Sequence, residues 1–109
     1  MTFGSWVRHR QQKRHLERFA VACLRLGNLL QEQPDGPSRY GTLAVAATEL
    51  LDHGWTTDDL HDLGIAGMRP RPWPTGKARD AGAEMPDWVN DADMLADGVE
   101  RAALELRAR

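Results

Sequence analysis

Apolar residues recur at alternating steps of three and four in the first third of the chain. Between about Trp6 and Gln33 these positions are held by Leu16, Phe19, Cys23, Leu26 and Leu30. Such spacing places the side chains on one face of an α-helix, because each residue turns the chain by about 100°. The pattern therefore predicts a long first helix with a single apolar seam.

A second seam lies near the end of the chain. Pro86 suits the first turn of a helix, and Asp87 and Asp91 follow it, as the helix dipole favours. The seam positions are Trp88, Ala92, Leu95, Val99, Ala102 and Leu106. Each seam is too short for a free-standing coiled coil, so we expect the first and last helices to pack together in a bundle.

Two shorter helices are predicted between these long ones. Ser38 can cap a helix over about 39–53, which Gly54 is placed to end. A second capping signal consists of Thr56 or Thr57 with Asp58 and Asp59. We expect Gly64 to end the brief helix that follows this signal.

The middle of the chain also supplies residues to the predicted core. Trp55, Leu60, Leu63 and Ile65 are expected to point inward from the short helix and its flanks. Gly27, inside the first helix, predicts a place where another helix crosses closely, because a helical glycine is unfavourable without such a reason.

Residues 66–85 are rich in proline and glycine and have no apolar period, so the sequence predicts a loop. Alternating prolines at 70, 72 and 74 favour polyproline II geometry. That geometry would display Arg69, Arg71 and Trp73. Three roles are open: docking on a polyproline-binding groove, stacking of Trp73 on a base, or packing of Trp73 on the protein's own core.

Composition agrees with one all-α domain. The 109 residues suit a single core, and Ala and Leu greatly outnumber the six Val and Ile, which favours helix over sheet. We therefore predict one helical domain over residues 1–109. It would be a small bundle with two long terminal helices packed together, two shorter helices between them and the proline-rich loop.

Several features predict a cytoplasmic protein without membrane association. No apolar stretch reaches the roughly 18 residues of a membrane span, and the first 18 residues lack the apolar core of a secretory signal. The single cysteine, Cys23, cannot form an internal disulfide. Scarce Lys, Ile and Asn beside abundant Ala, Arg and Gly indicate a high-GC bacterium or its phage.

No arrangement of reactive residues points to an enzyme. Cys23 lies on an apolar seam, where a small buried side chain is expected rather than a nucleophile. His53 and His61 fall on different predicted elements instead of sharing one helix face, so no metal site is predicted. We expect no catalytic residues and no cofactor.

Protein binding is the leading functional prediction. Apolar residues also occur outside the two seams, at Val21, Leu24, Leu29, Val89, Met94 and Leu104. An exposed apolar patch commonly marks an interface. We expect a small adaptor or regulatory protein that binds a protein partner or a second copy. The predicted contact residues are Val21, Leu24, Arg69, Arg71 and Trp73.

Nucleic-acid binding is the alternative. Residues 1–40 carry seven Arg and Lys against three acids, although the whole chain has a net charge of −2. The residues predicted to contact phosphates are Arg10, Arg14, Arg18, Arg25 and Lys77, with the Arg and Trp of the loop. A helix-turn-helix over 39–63 is disfavoured, because its second helix would present three aspartates to the phosphates.

Overall fold

The computed structural model describes residues 3–32, 39–73 and 87–107. It contains the helices α1 (Phe3–Gln31), α2 (Arg39–His53), α3 (Thr57–Gly67) and α4 (Trp88–Arg107). The long helices α1 and α4 pack against each other, α2 packs on α1, and α3 packs on α4. The predicted all-α bundle is confirmed, and no strand occurs in these three stretches. Gln33, Ser38, Pro74, Lys77 and Pro86, for which the sequence predicts roles, lie outside the described residues.

The predicted seam of α1 forms the centre of the core. All five of its residues, from Leu16 to Leu30, are completely buried. They face side chains of α2, α3 and α4 that include Tyr40, Leu60 and Val99. Burial of this one stripe explains why a helix of 29 residues can be polar on its other sides and remain folded. In the described part of the chain, no helix is long and apolar enough to cross a membrane.

The helices α1 and α2 cross closely at two glycines. A Cβ atom added to Gly27 would lie 3.1 Å from the backbone nitrogen of Gly41 and 3.3 Å from its Cα. The predicted close crossing at Gly27 is therefore confirmed. Farther along the pair, the Trp55 indole stacks on His9, with ring centroids 4.6 Å apart, and its Nε1 donates to Gln12. Because Gly27 lies next to Gly41 while His9 and Gln12 contact Trp55, α2 runs antiparallel to α1. The half-buried Trp55 covers the end of this helix pair.

The corner between α2 and α3 follows its predicted signals. Gly54 ends α2 with a φ of +100°, which glycine adopts without strain. Thr56 caps α3: its hydroxyl accepts from the backbone N–H of Asp59 over 3.1 Å, and the Asp59 carboxylate accepts from the Thr56 N–H over 2.8 Å. This reciprocal pair is a capping box, which fixes where α3 begins.

Two expectations for α3 are wrong. The helix does not end at Gly64 but continues to Gly67, so the first two residues assigned to the loop are helical. Gly64 instead allows close packing, because a Cβ there would lie 2.8 Å from the carbonyl oxygen of Ala103 on α4. Ile65 does not enter the core; it is 52% exposed, since α4 packs on the neighbouring glycine face.

The buried stripe of α4 is wider than the predicted seam. Val89, expected outside it, is completely buried, and Ala96 and Ala103 are buried as well. Two helices, α1 and α3, pack on α4 and cover adjoining stripes of its surface. Trp88 and Leu95, which belong to the predicted seam, are only partly buried.

Candidate protein-binding surfaces

The segment 69–73 is fastened to the bundle rather than displayed. Trp73 is only 6% exposed and packs against the rings of Tyr40 and Trp88, with centroids 6.0 and 6.3 Å away. Its Nε1 donates to Asp93 on α4 over 2.8 Å. The expected display of Trp73 is therefore wrong, and the interpretation in which it packs on the protein's own core is confirmed.

Arg71 is held in a cluster of three carboxylates on α4. Its guanidinium donates to Asp93 and Glu100 over 2.9 Å and to Asp97 over 2.5 Å, and its side chain is 16% exposed. Burial disfavours the charged form, but the bonds to Glu100, Asp97 and Asp93 outweigh it and raise the pKa of Arg71 above its usual range. Arg71 is thus engaged within the fold and not displayed as expected.

Arg39 fastens the same segment from α2. Its guanidinium donates to the carbonyl oxygens of Pro70 over 3.0 Å and Arg69 over 3.4 Å. It also lies 4.6 Å from the centroid of the Tyr40 ring. Of the predicted contact residues in this segment, Arg69 is the one with an exposed side chain. The predicted contact residues that stay accessible are therefore Arg69 and, on α1, Val21 and Leu24.

An exposed apolar surface, which we call the outer face, is formed by Val21 and Leu24 on α1 and Val45 on α2. The three side chains are 48%, 52% and 59% exposed. Because α1 and α2 are antiparallel and cross at Gly27 and Gly41, Leu24 and Val45 lie at the same level of the pair. The structure thus leaves Val21 and Leu24 exposed, as the protein-binding prediction requires, and adds Val45.

Arginines border the outer face. Arg14, Arg18 and Arg25 are exposed, and their spacing around Val21 places all four residues on one stripe of α1. The Arg18 guanidinium lies 3.6 Å from the Glu105 carboxylate, a surface ion pair that contributes at most about 1 kcal/mol. The outer face therefore has an apolar centre and a positively charged border.

The first part of α1 forms a second basic surface, which shares Arg14 with the border of the outer face. Because Glu105 lies beside Arg18 and α4 ends at Arg107, the residues of α1 before about His15 extend beyond α4. Their exposed cations are Arg8, Arg10, Lys13 and Arg14. The Arg10 guanidinium lies 5.4 Å from the centroid of the Trp6 ring, a cation–π distance. This arrangement concentrates positive charge at one end of the bundle.

A cleft opens between α2 and α3, with a volume of about 490 Å³. Its floor is apolar and consists of Ala46, Leu50, Leu63 and Ala66. Its rim is polar and consists of Glu49, His53, Asp59 and Asp62. No local sequence pattern predicts this cleft, because its residues come from two helices whose relative angle depends on packing between distant parts of the chain. The exposure of Val45 is not evident from the sequence either, because it neighbours the buried Ala44 in a predominantly apolar helix.

The cleft brings the imidazole of His53 and the carboxylates of Glu49, Asp59 and Asp62 to one rim, whereas Cys23 lies apart from them in the core. Cys23 is completely buried; desolvation raises the pKa of its thiol to about 12, although Arg39 partly opposes the shift. The thiol therefore stays protonated near neutral pH. Within the described residues, no group of three or more His, Cys, Asp or Glu side chains could hold a metal ion.

The chain has no significant match among protein-family models, curated proteins or solved structures. Its function is therefore inferred from three surfaces that the fold creates. They are the outer face with its arginine border, the acid-rimmed cleft, and the basic first part of α1.

Proposed function

We propose that the chain is a small non-enzymatic adaptor or regulatory protein that binds another protein through its outer face. The observation that carries this proposal is the exposure of Val21, Leu24 and Val45, each by about half, on two adjoining helices. Burial of apolar surface contributes about 25 cal/mol per Å², so these side chains favour an interface over water.

The charge around the outer face defines the kind of partner. Arg14, Arg18 and Arg25 border the apolar centre, so a complementary surface has apolar residues surrounded by carboxylates. Oppositely charged borders speed the encounter and set the orientation, while the apolar centre supplies most of the affinity. We propose an acidic, partly apolar protein surface as the binding partner.

The proposed setting is the cytoplasm of a high-GC bacterium or its phage. A buried, unpaired Cys23 suits a reducing compartment, because the described fold uses no disulfide for stability. The residue usage supports the proposed source. Neither statement bears on which protein is bound.

Affinity capture with matched variants tests the proposed function. The tagged full-length chain, its Val21→Asp/Leu24→Asp variant and a Met94→Asp control are incubated with lysate of the cells that produce it. Met94 is 73% exposed on α4 and lies outside the outer face, so it controls for loss of surface apolarity. We expect captured proteins to be lost with the outer-face variant and retained with the control. An identical set of captured proteins for all three chains contradicts the proposal.

Nucleic-acid binding is the second candidate, favoured by the exposed cations on the part of α1 that extends beyond α4. Arg8, Arg10, Lys13 and Arg14 can approach phosphates there without hindrance from α4, and Arg18 and Arg25 continue the same basic side. The loop is a weaker contributor than the sequence predicts, since Arg71 and Trp73 are engaged internally.

Fluorescence anisotropy with a labelled DNA duplex of about 20 base pairs separates this candidate from the first. Phosphate contacts release counterions, so affinity falls steeply with salt, and each arginine removed lowers the slope by about 1. The informative variant is Arg10→Ala/Arg14→Ala, with Arg101→Ala on α4 as its control. Absence of binding, or binding that salt does not weaken, eliminates this candidate.

A further inference from the structure

The cleft between α2 and α3 has the chemistry that the outer face requires in a partner. Its floor presents Leu50 and Leu63 with two alanines, and three carboxylates line its rim, at Glu49, Asp59 and Asp62. The two helices contact each other less extensively than either contacts its main neighbour, and the floor between them is partly accessible at Ala46, Leu50 and Ala66, while Leu63 is 7% exposed. An apolar floor with an acidic rim suits an apolar helix stripe bordered by cations.

One helix stripe of this kind is present on the chain itself. Arg14, Arg18, Val21 and Arg25 share a stripe of α1, and Leu24 lies beside it. From Arg14 to Arg25 the stripe is about 16 Å long, at 1.5 Å per residue. The cleft side of α2, from Ala46 to His53, is about 10 Å long by the same measure. The apolar centre of the stripe can therefore lie over the floor while its arginines reach the rim.

The two surfaces adjoin on α2, because Val45 of the outer face lies four residues before Glu49 of the cleft rim, but they face in different directions. The contact with α1 is on the Gly41 side of α2, whereas the cleft is on the side of α2 that faces α3. The outer face of one chain therefore cannot occupy the cleft of the same chain. Two different surfaces that fit each other on separate copies make a head-to-tail contact, which repeats into a ring or an open chain.

We infer that the outer face of one copy docks into the α2–α3 cleft of a second copy, so that the chain self-associates head to tail. This inference rests on the proposed function of the outer face and names its partner. Few side chains take part, and contacts that bury less than about 1,200 Å² are commonly weak. Association is expected at high concentration and decreases as salt screens the charged borders.

Charge exchange tests this contact with the full-length chain. Sedimentation velocity is measured from micromolar to millimolar concentration for the wild type and three variants. The first variant, Arg14→Glu/Arg25→Glu, reverses the border of the outer face, and the second, Glu49→Arg/Asp62→Arg, reverses the rim of the cleft. The third variant combines all four substitutions. All four residues are exposed, so circular dichroism is expected to show an unchanged helical fold.

Each of the first two variants is expected to associate about tenfold or more weakly than the wild type, because like charges then face each other across the contact. The combined variant restores opposite charges and is expected to associate like the wild type. Arg8→Glu/Arg101→Glu is the matched control: it changes the net charge as much as the first variant but lies outside both surfaces. This control is expected to retain wild-type association.

Several results overturn the inference. One is a wild type that is monomeric at every concentration. Another is association of the first two variants that equals that of the wild type. The third is a combined variant that stays dissociated. Failure of the proposed function is a separate result. A monomeric wild type that still captures a protein through Val21 and Leu24 overturns the self-docking and leaves the protein-binding function in place.

Discussion

Trp73 and Asp93 are joined by a hydrogen bond of 2.8 Å from the indole nitrogen to the carboxylate oxygen Oδ1. The same oxygen accepts from Arg71 over 2.9 Å. Two residues of the proline-rich segment thus converge on one atom of α4. This convergence makes residues 71–73 part of the folded bundle and leaves Val21 and Leu24 as the exposed apolar side chains among the predicted contact residues.

Truncation of Trp73 is expected to destabilise the fold strongly. Trp73→Ala removes a ring that is almost completely buried between Tyr40 and Trp88, and large-to-small changes of this kind cost about 3–5 kcal/mol. Urea unfolding followed by circular dichroism measures the cost. The neighbouring Arg69→Ala, at an exposed side chain, serves as the control and is expected to change stability by less than about 0.5 kcal/mol. Equal stability of both variants contradicts the burial of Trp73.

Removal of the Arg71 charge is expected to leave the α4 carboxylates repelling one another. Arg71→Met keeps much of the side-chain volume but removes every hydrogen bond to Asp93, Asp97 and Glu100. The expected loss is about 1–3 kcal/mol, which is limited by the partial exposure of the acids. Arg71→Lys, which keeps the charge without the planar fork, is expected to lose less. Urea unfolding at low salt tests this order, and a Met variant as stable as the wild type contradicts it.

Two glycines are expected to respond oppositely to the same substitution. Gly64→Ala places a Cβ 2.8 Å from the carbonyl oxygen of Ala103 and 2.6 Å from Cγ of Arg107, so α3 and α4 must separate at a cost of about 1–3 kcal/mol. A Cβ at Gly98, inside α4, meets no described atom within 4 Å. Gly98→Ala is therefore expected to stabilise the chain by about 0.5–1 kcal/mol. Thermal unfolding of both variants gives the comparison, and a shift of the same sign in both contradicts the close contact.

Burial of Cys23 predicts a loss of stability in alkali. The pKa of the folded thiol is raised to about 12 from its usual 9.0, so the folded chain keeps a proton that the unfolded chain releases. Stability is therefore lost as the pH rises above about 9, by up to about 1.4 kcal/mol per pH unit from this group. Burial also raises the pKa of Tyr40, although Arg39 partly opposes the shift. Tyr40 therefore adds to the loss of stability as the pH rises above about 10.

Urea unfolding under reducing conditions measures this alkaline effect, with Cys23→Ala as the comparison. The difference in unfolding free energy between wild type and variant is expected to shrink between about pH 8.5 and pH 10, because only the wild type carries the thiol. A difference that stays constant over this interval shows that the thiol is not desolvated.

The helices could be predicted from the sequence because their signals are local. The seam of α1 repeats over four turns, and α2 ends at His53, directly before Gly54. The capping box of Thr56 and Asp59 needs only four consecutive residues. Each of these features depends on side chains within a few positions, so periodicity and capping rules are sufficient.

The misjudged features depend on contacts between distant parts of the chain. Gly64 satisfies the local rule for a helix end, but α4 packs against it and makes it an interior position. Val89 lies off a single-faced seam yet is buried, because two helices cover α4. Trp73 lies among prolines that favour display, and only the hydrogen bond to Asp93 and the neighbouring rings show that it is buried. The candidate surfaces follow from these long-range contacts.

Amide hydrogen exchange tests the central claim, protein binding through the outer face, most directly. The full-length chain is compared alone and in the complex purified with a protein that it captures. We expect slower exchange in the peptides that cover residues 17–28 of α1 and 41–48 of α2, around Val21, Leu24 and Val45. Unchanged exchange in these peptides, with any protection confined to residues 6–15 at the basic end of α1, contradicts the claim.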